Sequence, residues 1–176
     1  MLMPITDRRG SLRLVVALGA AALASGCGFK LRTPPNFAFD TVAVIAPGSG
    51  AVATQLRNAL GPRLREALAA NAPAGAVGPQ VSLDLLQELR ERTVVGVNAA
   101  GQVRELQLRL RVKFRLRNAA GKDLIDETEI VQVRDISFSE SAVLAKEVEE
   151  ARLVRDMQTD IVQQLMRRLA AVKSIV

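Results

Sequence analysis

Five positively charged side chains occupy every second position near the middle of the chain, at Arg109, Arg111, Lys113, Arg115 and Arg117. Leucine, valine and phenylalanine fill the positions between them. Because successive side chains of a β-strand point to opposite faces, this spacing predicts a strand with one apolar and one basic face. Same-face neighbours lie about 7 Å apart, within a Debye length of about 8–10 Å, so the cations repel one another. The row therefore favours a nearby source of negative charge.

Two sources of that negative charge are open at the level of sequence. The first is internal, because Asp126, Glu127 and Glu129 lie in the next predicted strand and would pair with the cations across the ladder. The second is an anionic ligand or partner, whose phosphates or carboxylates would suit the planar guanidinium groups.

Most catalytic chemistry is disfavoured by what the chain lacks. It has no histidine, the commonest general acid or base and metal ligand, and one cysteine, which forms neither an internal disulfide nor a metal cluster. The turn at 47–50, Pro-Gly-Ser-Gly, lacks the Gly-Lys-Ser/Thr of a phosphate loop and is expected to lead from a strand into a helix. We therefore expect no enzymatic activity, no metal and no cofactor.

The net charge of +6 favours an anionic partner. Aromatic residues make up only 3% of the chain, and neither Trp nor Tyr occurs. A stacking platform for bases is therefore missing, and we do not expect nucleic acid to be the partner.

The single cysteine, Cys27, follows a segment with the pattern of a secretory signal peptide. Residues 1–26 contain three arginines, then an apolar run from Leu14 to Ala24, then small residues that end at Gly26. The run is too short for a membrane-spanning helix, which needs roughly 20 residues. The alternative to a modified thiol at Cys27 is a buried structural cysteine.

The rest of the chain predicts a small α+β domain. Strands are expected at 39–47, from 81 to about 96, at 103–118 and at 124–138. A helix is expected after the first strand, with leucines at four-residue spacing up to Leu68 and a kink or break at Pro62. A long helix is expected over about 140–172, opened by a capping box of Ser137 and Glu140.

The apolar positions of that last helix recur every three or four residues: Leu144, Val148, Ala151, Val154, Ile161, Leu165, Leu169 and Val172. The order β-α-β-β-β-α predicts a two-layer α/β sandwich, a four-stranded mixed sheet with two helices on one face. The last helix is longer than a small sheet is wide, so part of it is expected to project or to pack on a partner. Residues 1–26 form the expected signal peptide, 27–38 a lipidated N-terminus and tether, and 39–176 one domain.

Several stretches carry a resemblance to known proteins. The stretch "LASGC" resembles the lipobox of bacterial lipoproteins, which implies cleavage between Gly26 and Cys27 and acylation of the Cys27 thiol. Gly28, rather than Asp, follows the cysteine and implies sorting to the outer membrane. "CGFKLR", the alternating third strand and residues 131–169 together resemble the LptE family of lipopolysaccharide-assembly lipoproteins, over nearly all of the chain after Cys27.

The resemblance implies a protein inside the lumen of a large outer-membrane β-barrel, the lipopolysaccharide translocon. It would help that barrel to assemble, plug it and take part in delivering lipopolysaccharide to the cell surface. Its partners would be the barrel, lipopolysaccharide and, through a lipid anchor, the periplasmic side of the outer membrane. The five cations would then meet lipid A phosphates or acidic groups of the barrel. The alternative is a free periplasm-facing lipoprotein that binds or carries an anionic lipid without a barrel partner.

Overall fold

Four strands form one mixed sheet, and two helices cover one of its faces. The computed structural model describes residues 35–68, 77–139 and 142–175, so the expected signal peptide, Gly26 and Cys27 lie outside the described residues. The elements are listed in chain order: β1 (Val42–Ile45), α1 (Ala51–Leu60), a 3-10 turn (Gly61–Arg63), β2 (Val81–Val97), β3 (Val103–Asn118), β4 (Asp123–Ser137) and α2 (Val143–Ala171). The predicted α+β class and element order are confirmed.

The sheet has the order β1-β2-β3-β4. β1 runs parallel to β2, with Val42 opposite Val81, and the other pairs are antiparallel. The parallel pair arises because α1 returns the chain to the end of the sheet at which β1 began. β1 pairs with only the first four residues of β2, so the rest of the β2 edge extends beyond it.

β3 spans the residues that its alternation predicts. Its apolar side chains from Leu106 to Leu116 are all buried. They join Val154, Ile161 and Leu165 of α2 in one hydrophobic core, while the cations between them point to the other face. Strict period-two alternation fixes both the register of a strand and the face that it buries.

β2 changes faces along its length. The ladder with β3 shifts register between Leu85 and Gln87, which leaves Leu86 as an extra residue. A bulge of this kind reverses the alternation of a strand. Side chains after the bulge therefore point to the opposite faces from those expected if the alternation of the first half continued. Glu88 and Arg90 therefore lie opposite the buried Val112 and Leu110, on the face covered by the helices.

The first helix is much shorter than predicted. α1 ends at Leu60 and a 3-10 turn containing Pro62 follows, so the predicted break at Pro62 is confirmed, whereas the expected continuation of the helix to Leu68 is wrong. Gly61 has φ 52° and ψ −122°, a conformation that breaks the helix before the proline does. Leu64 then forms an isolated parallel bridge with Val42 instead of a fourth helical turn.

Replacing Gly61 with alanine should lower stability through the backbone alone. A Cβ at this position meets no atom within 4 Å, yet the positive φ is unfavourable for an L-residue. We expect Gly61→Ala to lower the free energy of unfolding by about 1–3 kcal/mol, measured by urea denaturation. An unchanged midpoint would show that the backbone adopts another conformation there.

The start of the last helix also differs from expectation. α2 begins at Val143, Ala142 caps it without a side-chain hydrogen bond, and the Ser137–Glu140 capping box is wrong. Glu140 lies outside the described residues, while Ser137 ends β4 and its hydroxyl accepts a hydrogen bond from Lys146 Nζ at 2.9 Å. Buried residues of α2 begin at Val154, and Leu144 and Val148 are 79% and 70% exposed. The first turns of α2 thus leave three of the eight residues of the predicted stripe exposed: Leu144, Val148 and Ala151.

No helix within the described residues is long and apolar enough to cross a membrane.

Candidate functional site: the open face of the sheet

The structure places all five cations of β3 on the face of the sheet opposite the helices. Their side chains are half-buried, and β2 and β4 flank them. We call this surface the open face and the five side chains the basic row: Arg109, Arg111, Lys113, Arg115 and Arg117. Sequence alternation therefore predicts which side chains share this surface.

Asp84 on β2 neutralises one end of the basic row. Its Oδ2 accepts hydrogen bonds from Arg115 Nε at 2.9 Å and from Arg117 Nη2 at 2.8 Å. The Asp84 residue is 5% exposed, and it is the one buried charged residue in the described parts of the chain. The hydrogen bond to Asp84 raises the pKa of Arg115 above its usual value, with further attraction from Asp84, Asp123 and Glu127. Arg115 therefore stays charged at neutral pH.

Two further cations have weaker partners. Arg111 Nη2 lies 3.2 Å from Glu91 Oε2 on β2, and Lys113 Nζ lies 3.7 Å from Glu127 Oε1 on β4. Because both pairs are partly exposed, each contributes on the order of 0–1 kcal/mol to stability.

Arg109 has no carboxylate partner among the described residues. Its Nη2 donates a hydrogen bond to Gln107 Oε1 at 3.0 Å, and Gln107 in turn donates to Asp135 Oδ1 at 3.1 Å. The amide of Gln107 is neutral, so the positive charge of Arg109 is not compensated by its nearest contact. Arg109 is consequently the member of the basic row that is best placed to meet an external anion.

Aliphatic side chains border Arg111 on both sides and Arg109 on one side, whereas Glu91 is the cross-strand partner of Arg109 on the other side. Leu89 and Val131 are the cross-strand partners of Arg111, and Val133 is the partner of Arg109. These three aliphatic side chains are all exposed. The open face is therefore amphipathic, with a cationic middle strand and apolar flanks.

The internal neutralisation that the sequence left open is partly realised, largely by other residues than those expected. Of the three predicted carboxylates on β4, Glu127 pairs with the row, whereas Asp126 and Glu129 form no ion pair with any described residue. The strongest partner, Asp84, and the partner of Arg111, Glu91, both lie on β2 and were not predicted. The adjacent pair Leu85-Leu86 breaks the alternation of β2 and was the available signal for the bulge that brings Glu91 to this face.

The helix-facing charges of β2 serve the fold. Arg90 Nη2 and Arg92 Nε bind Glu150 of α2 at 2.7 and 3.4 Å. These ion pairs connect the N-terminal part of α2 to β2. The Glu88 carboxylate accepts a hydrogen bond from the Val52 backbone N–H at 3.3 Å. The turn at 47–50 thus leads into α1 as predicted, and its helix N-terminus is occupied by a carboxylate of this chain.

Glu150 and Glu149 of α2 both form ion pairs: Glu150 with β2, as described above, and Glu149 within the helix. Lys146 Nζ lies 2.8 Å from Glu149 Oε2, within the helix. No group of three or more metal-ligating side chains occurs in residues 35–68, 77–139 and 142–175.

Comparison with known proteins identifies the family. The family model described as "LptE: Lipopolysaccharide-assembly" matches residues 39–169. The uncharacterized lipoprotein B from Nitrosomonas europaea, solved by NMR, is 30% identical to this chain with a TM-score of 0.66, and the match covers 82% of this chain and 91% of that one. No curated protein sequence matches the chain.

Two crystal structures share the fold at lower identity. The minor lipoprotein from Acinetobacter baumannii is 21% identical with a TM-score of 0.58, covering 77% of this chain and 94% of that one. The rare lipoprotein B from Shewanella oneidensis is 20% identical with a TM-score of 0.59, covering 74% and 94%. The family-model match over residues 39–169 and the 30% identical lipoprotein confirm the resemblance noted in the sequence: the chain belongs to the LptE family of lipopolysaccharide-assembly lipoproteins.

Proposed function

We propose that this protein is the lipoprotein partner of the outer-membrane lipopolysaccharide translocon. In this role it occupies and plugs the β-barrel, assists its assembly and takes part in delivering lipopolysaccharide to the cell surface. Acylated Cys27 anchors it to the periplasmic side of the outer membrane, and residues 27–38 tether the domain to that anchor. The family match supports the role in lipopolysaccharide assembly, and the partner and anchor are our inference.

The observation that carries the proposal is the open face. A sheet with helices on one side only leaves its other side available for a second molecule, and here that side combines cations with exposed aliphatic side chains. Lipopolysaccharide offers phosphates and acyl chains, and a barrel lumen offers acidic and apolar side chains. Both match an amphipathic surface of this composition.

Within this face, Arg109 and Arg111 are the expected contacts. Arg109 lacks a carboxylate partner among the described residues, and the Arg111–Glu91 pair is partly exposed and long at 3.2 Å. An incoming phosphate or carboxylate therefore meets them without breaking a buried ion pair. By contrast, Arg115 and Arg117 are held by Asp84.

Charge reversal tests this assignment. We expect Arg109→Glu with Arg111→Glu to reduce lipopolysaccharide binding or co-purification with the barrel at least tenfold, because two attractive contacts become repulsive, each change being worth roughly 1–2 kcal/mol. The measurements are lipopolysaccharide binding by the purified protein and barrel recovery from detergent-solubilised outer membranes.

Lys122→Glu is the matched control, since Lys122 is an exposed cation in the β3–β4 turn, beyond the Arg117 end of the row and distant from Arg109 and Arg111. The control should behave as the unaltered protein in both measurements. If the double variant binds lipopolysaccharide and recovers the barrel normally, the basic row is not the contact surface.

The same purification distinguishes the second candidate function. A free lipoprotein that carries an anionic lipid would also use the amphipathic open face, but it would be recovered without a barrel. A stoichiometric complex with a large outer-membrane barrel supports the plug role. Recovery of the protein with bound lipid and no barrel supports the carrier.

A further inference from the structure

The cluster of Asp84, Arg115 and Arg117 is incompletely satisfied. Both arginines bind the same oxygen, Asp84 Oδ2. The other oxygen, Oδ1, is buried and has no hydrogen-bond partner, and the same is true of Arg117 Nε. A buried carboxylate oxygen without a donor is costly, and such atoms in folded proteins usually have a partner supplied by water or by a ligand.

The two unpartnered atoms have opposite requirements. Asp84 Oδ1 needs a donor and Arg117 Nε needs an acceptor. A hydroxyl group meets both requirements at once, and an ammonium group beside an anionic oxygen meets them as a pair. The cluster is therefore suited to a ligand in which a donor and an anionic oxygen are neighbours.

A pocket of about 360 Å³ adjoins this cluster. It lies where β1 ends after four residues, and its apolar wall includes Ile45, Pro47 and Leu86. Asp84, Arg115 and Arg117 form its polar wall. Its volume is at the lower end of the range of small-molecule sites, which is about 300–1,000 Å³.

The charge balance of the polar wall favours an anion. Within the pocket lining, two guanidinium groups face one carboxylate, while Asp123 and Glu127 of β4 attract Arg115 from outside the lining. The guanidinium N–H groups that do not bind Asp84 stay available. Planar guanidinium groups bind phosphate oxygens in bidentate geometry. About one-third of each arginine side chain is exposed.

We propose that this pocket binds a phosphate monoester that carries a hydrogen-bond donor next to the phosphate. The phosphate binds Arg115 and Arg117, and the neighbouring hydroxyl or ammonium group donates to Asp84 Oδ1 once the Arg117 side chain turns outward to meet the phosphate. The inference rests on the proposed function, in which β3 meets an anionic lipid, and specifies the headgroup chemistry at one end of the basic row. A phosphorylated aminosugar of lipopolysaccharide has this chemistry, and free phosphoethanolamine is a monoester analogue of a phospholipid headgroup, in which the phosphate is a diester.

Nuclear magnetic resonance of the arginine Nε–Hε groups tests the proposal on the full-length protein in a non-ionic detergent. The probes are glucosamine 1-phosphate, phosphoethanolamine and sulfate, of which sulfate has the charge but no donor. We expect at least one of the two phosphate monoesters to shift the Arg115 and Arg117 signals with a Kd about tenfold or more below that of sulfate, the effect of one added charge-assisted hydrogen bond. The tighter of the two monoesters identifies the source of the headgroup.

Two variants separate the donor requirement from the charge. In Asp84→Asn the amide oxygen still accepts the hydrogen bonds of the two arginines. The NH₂ group then occupies the position of Oδ1, where it cannot accept a hydrogen bond from a ligand donor. This variant should bind the phosphate monoesters no better than sulfate. Arg117→Lys keeps a positive charge beside Asp84 but loses the planar, bidentate donors of the guanidinium group, so it should weaken monoester binding. This variant tests the proposal even if Asp84→Asn proves unstable.

Arg152→Gln is the control, because it removes an exposed cation of α2 that belongs neither to the basic row nor to the pocket lining. It should leave the monoester Kd unchanged. Equal binding of monoester and sulfate, or no shift with any probe, would show that an ordered water satisfies the cluster and would overturn the proposal. Lipopolysaccharide binding by the unaltered protein, and its dependence on Arg109 and Arg111, is measured in parallel. If the unaltered protein does not bind lipopolysaccharide, the proposed function is contradicted. If it binds in a manner that depends on Arg109 and Arg111, the failure is confined to this pocket.

Discussion

Replacement of Phe114 by alanine is expected to remove about 3–5 kcal/mol from the free energy of unfolding. Phe114 lies in the C-terminal half of β3, is fully buried, and has Leu85 and Thr128 as its cross-strand neighbours. Its ring also lies 5.5 Å from the guanidinium carbon of Arg168 on α2, so it links the sheet to the helix layer. Truncation would leave a cavity between two rigid layers that relax only partly. Urea denaturation followed by far-ultraviolet circular dichroism measures the loss, since the chain has no Trp or Tyr for fluorescence.

The neighbouring position provides the control for this prediction. Lys113 lies one residue earlier on the same strand, points to the open face and makes a long ion pair of 3.7 Å with Glu127. Lys113→Ala should change the free energy of unfolding by less than about 1 kcal/mol. Comparable losses in the two variants would contradict the assignment of opposite faces to alternate residues of β3.

β3 was predictable because its information is local. Cations and apolar residues alternate without interruption from Leu108 to Arg117, and each residue type is compatible with one face of the sheet. The same alternation predicts the buried side chains and the basic row together. The candidate site can therefore be predicted as a set of residues on one strand without knowledge of the strands that flank it.

The partners of the basic row were not predictable in the same way. A cation is paired by whichever carboxylate the register brings opposite to it, and register depends on bulges in other strands. The extra residue Leu86 changes the face on which Glu91 lies, and it directs Glu88 and Arg90 toward the helices. Pairing across β4 was expected from sequence proximity, but three of the four ion-paired cations of the row bind carboxylates of β2.

The helix ends were missed because periodicity does not report backbone conformation. Leucines continue at four-residue spacing through Leu64 and Leu68, yet the backbone at Gly61 has already left the helix. The apolar stripe of α2 likewise starts at Leu144, while burial starts at Val154. Arg90 and Arg92 of β2 face the first turns of α2. Glu150 therefore connects the helix to the sheet there through ion pairs, in place of apolar packing.

Removal of Cys27 should release the protein from the membrane. If the first 27 residues are replaced by an ordinary cleavable secretory signal, so that the mature chain begins at Gly28, we expect nearly all of it in the soluble periplasmic fraction. Each buried methylene of an acyl chain contributes about 0.8 kcal/mol, so two or three chains on Cys27 hold a protein durably whereas none does. The control keeps residues 23–27 after the same signal, which should restore membrane recovery and add the mass of the acyl chains to the N-terminal peptide. An unmodified Cys27 in the mature protein, or continued membrane recovery of the chain that begins at Gly28, would mean that contacts of the folded domain and not a lipid hold it there, and the barrel partner would then have to supply the whole attachment.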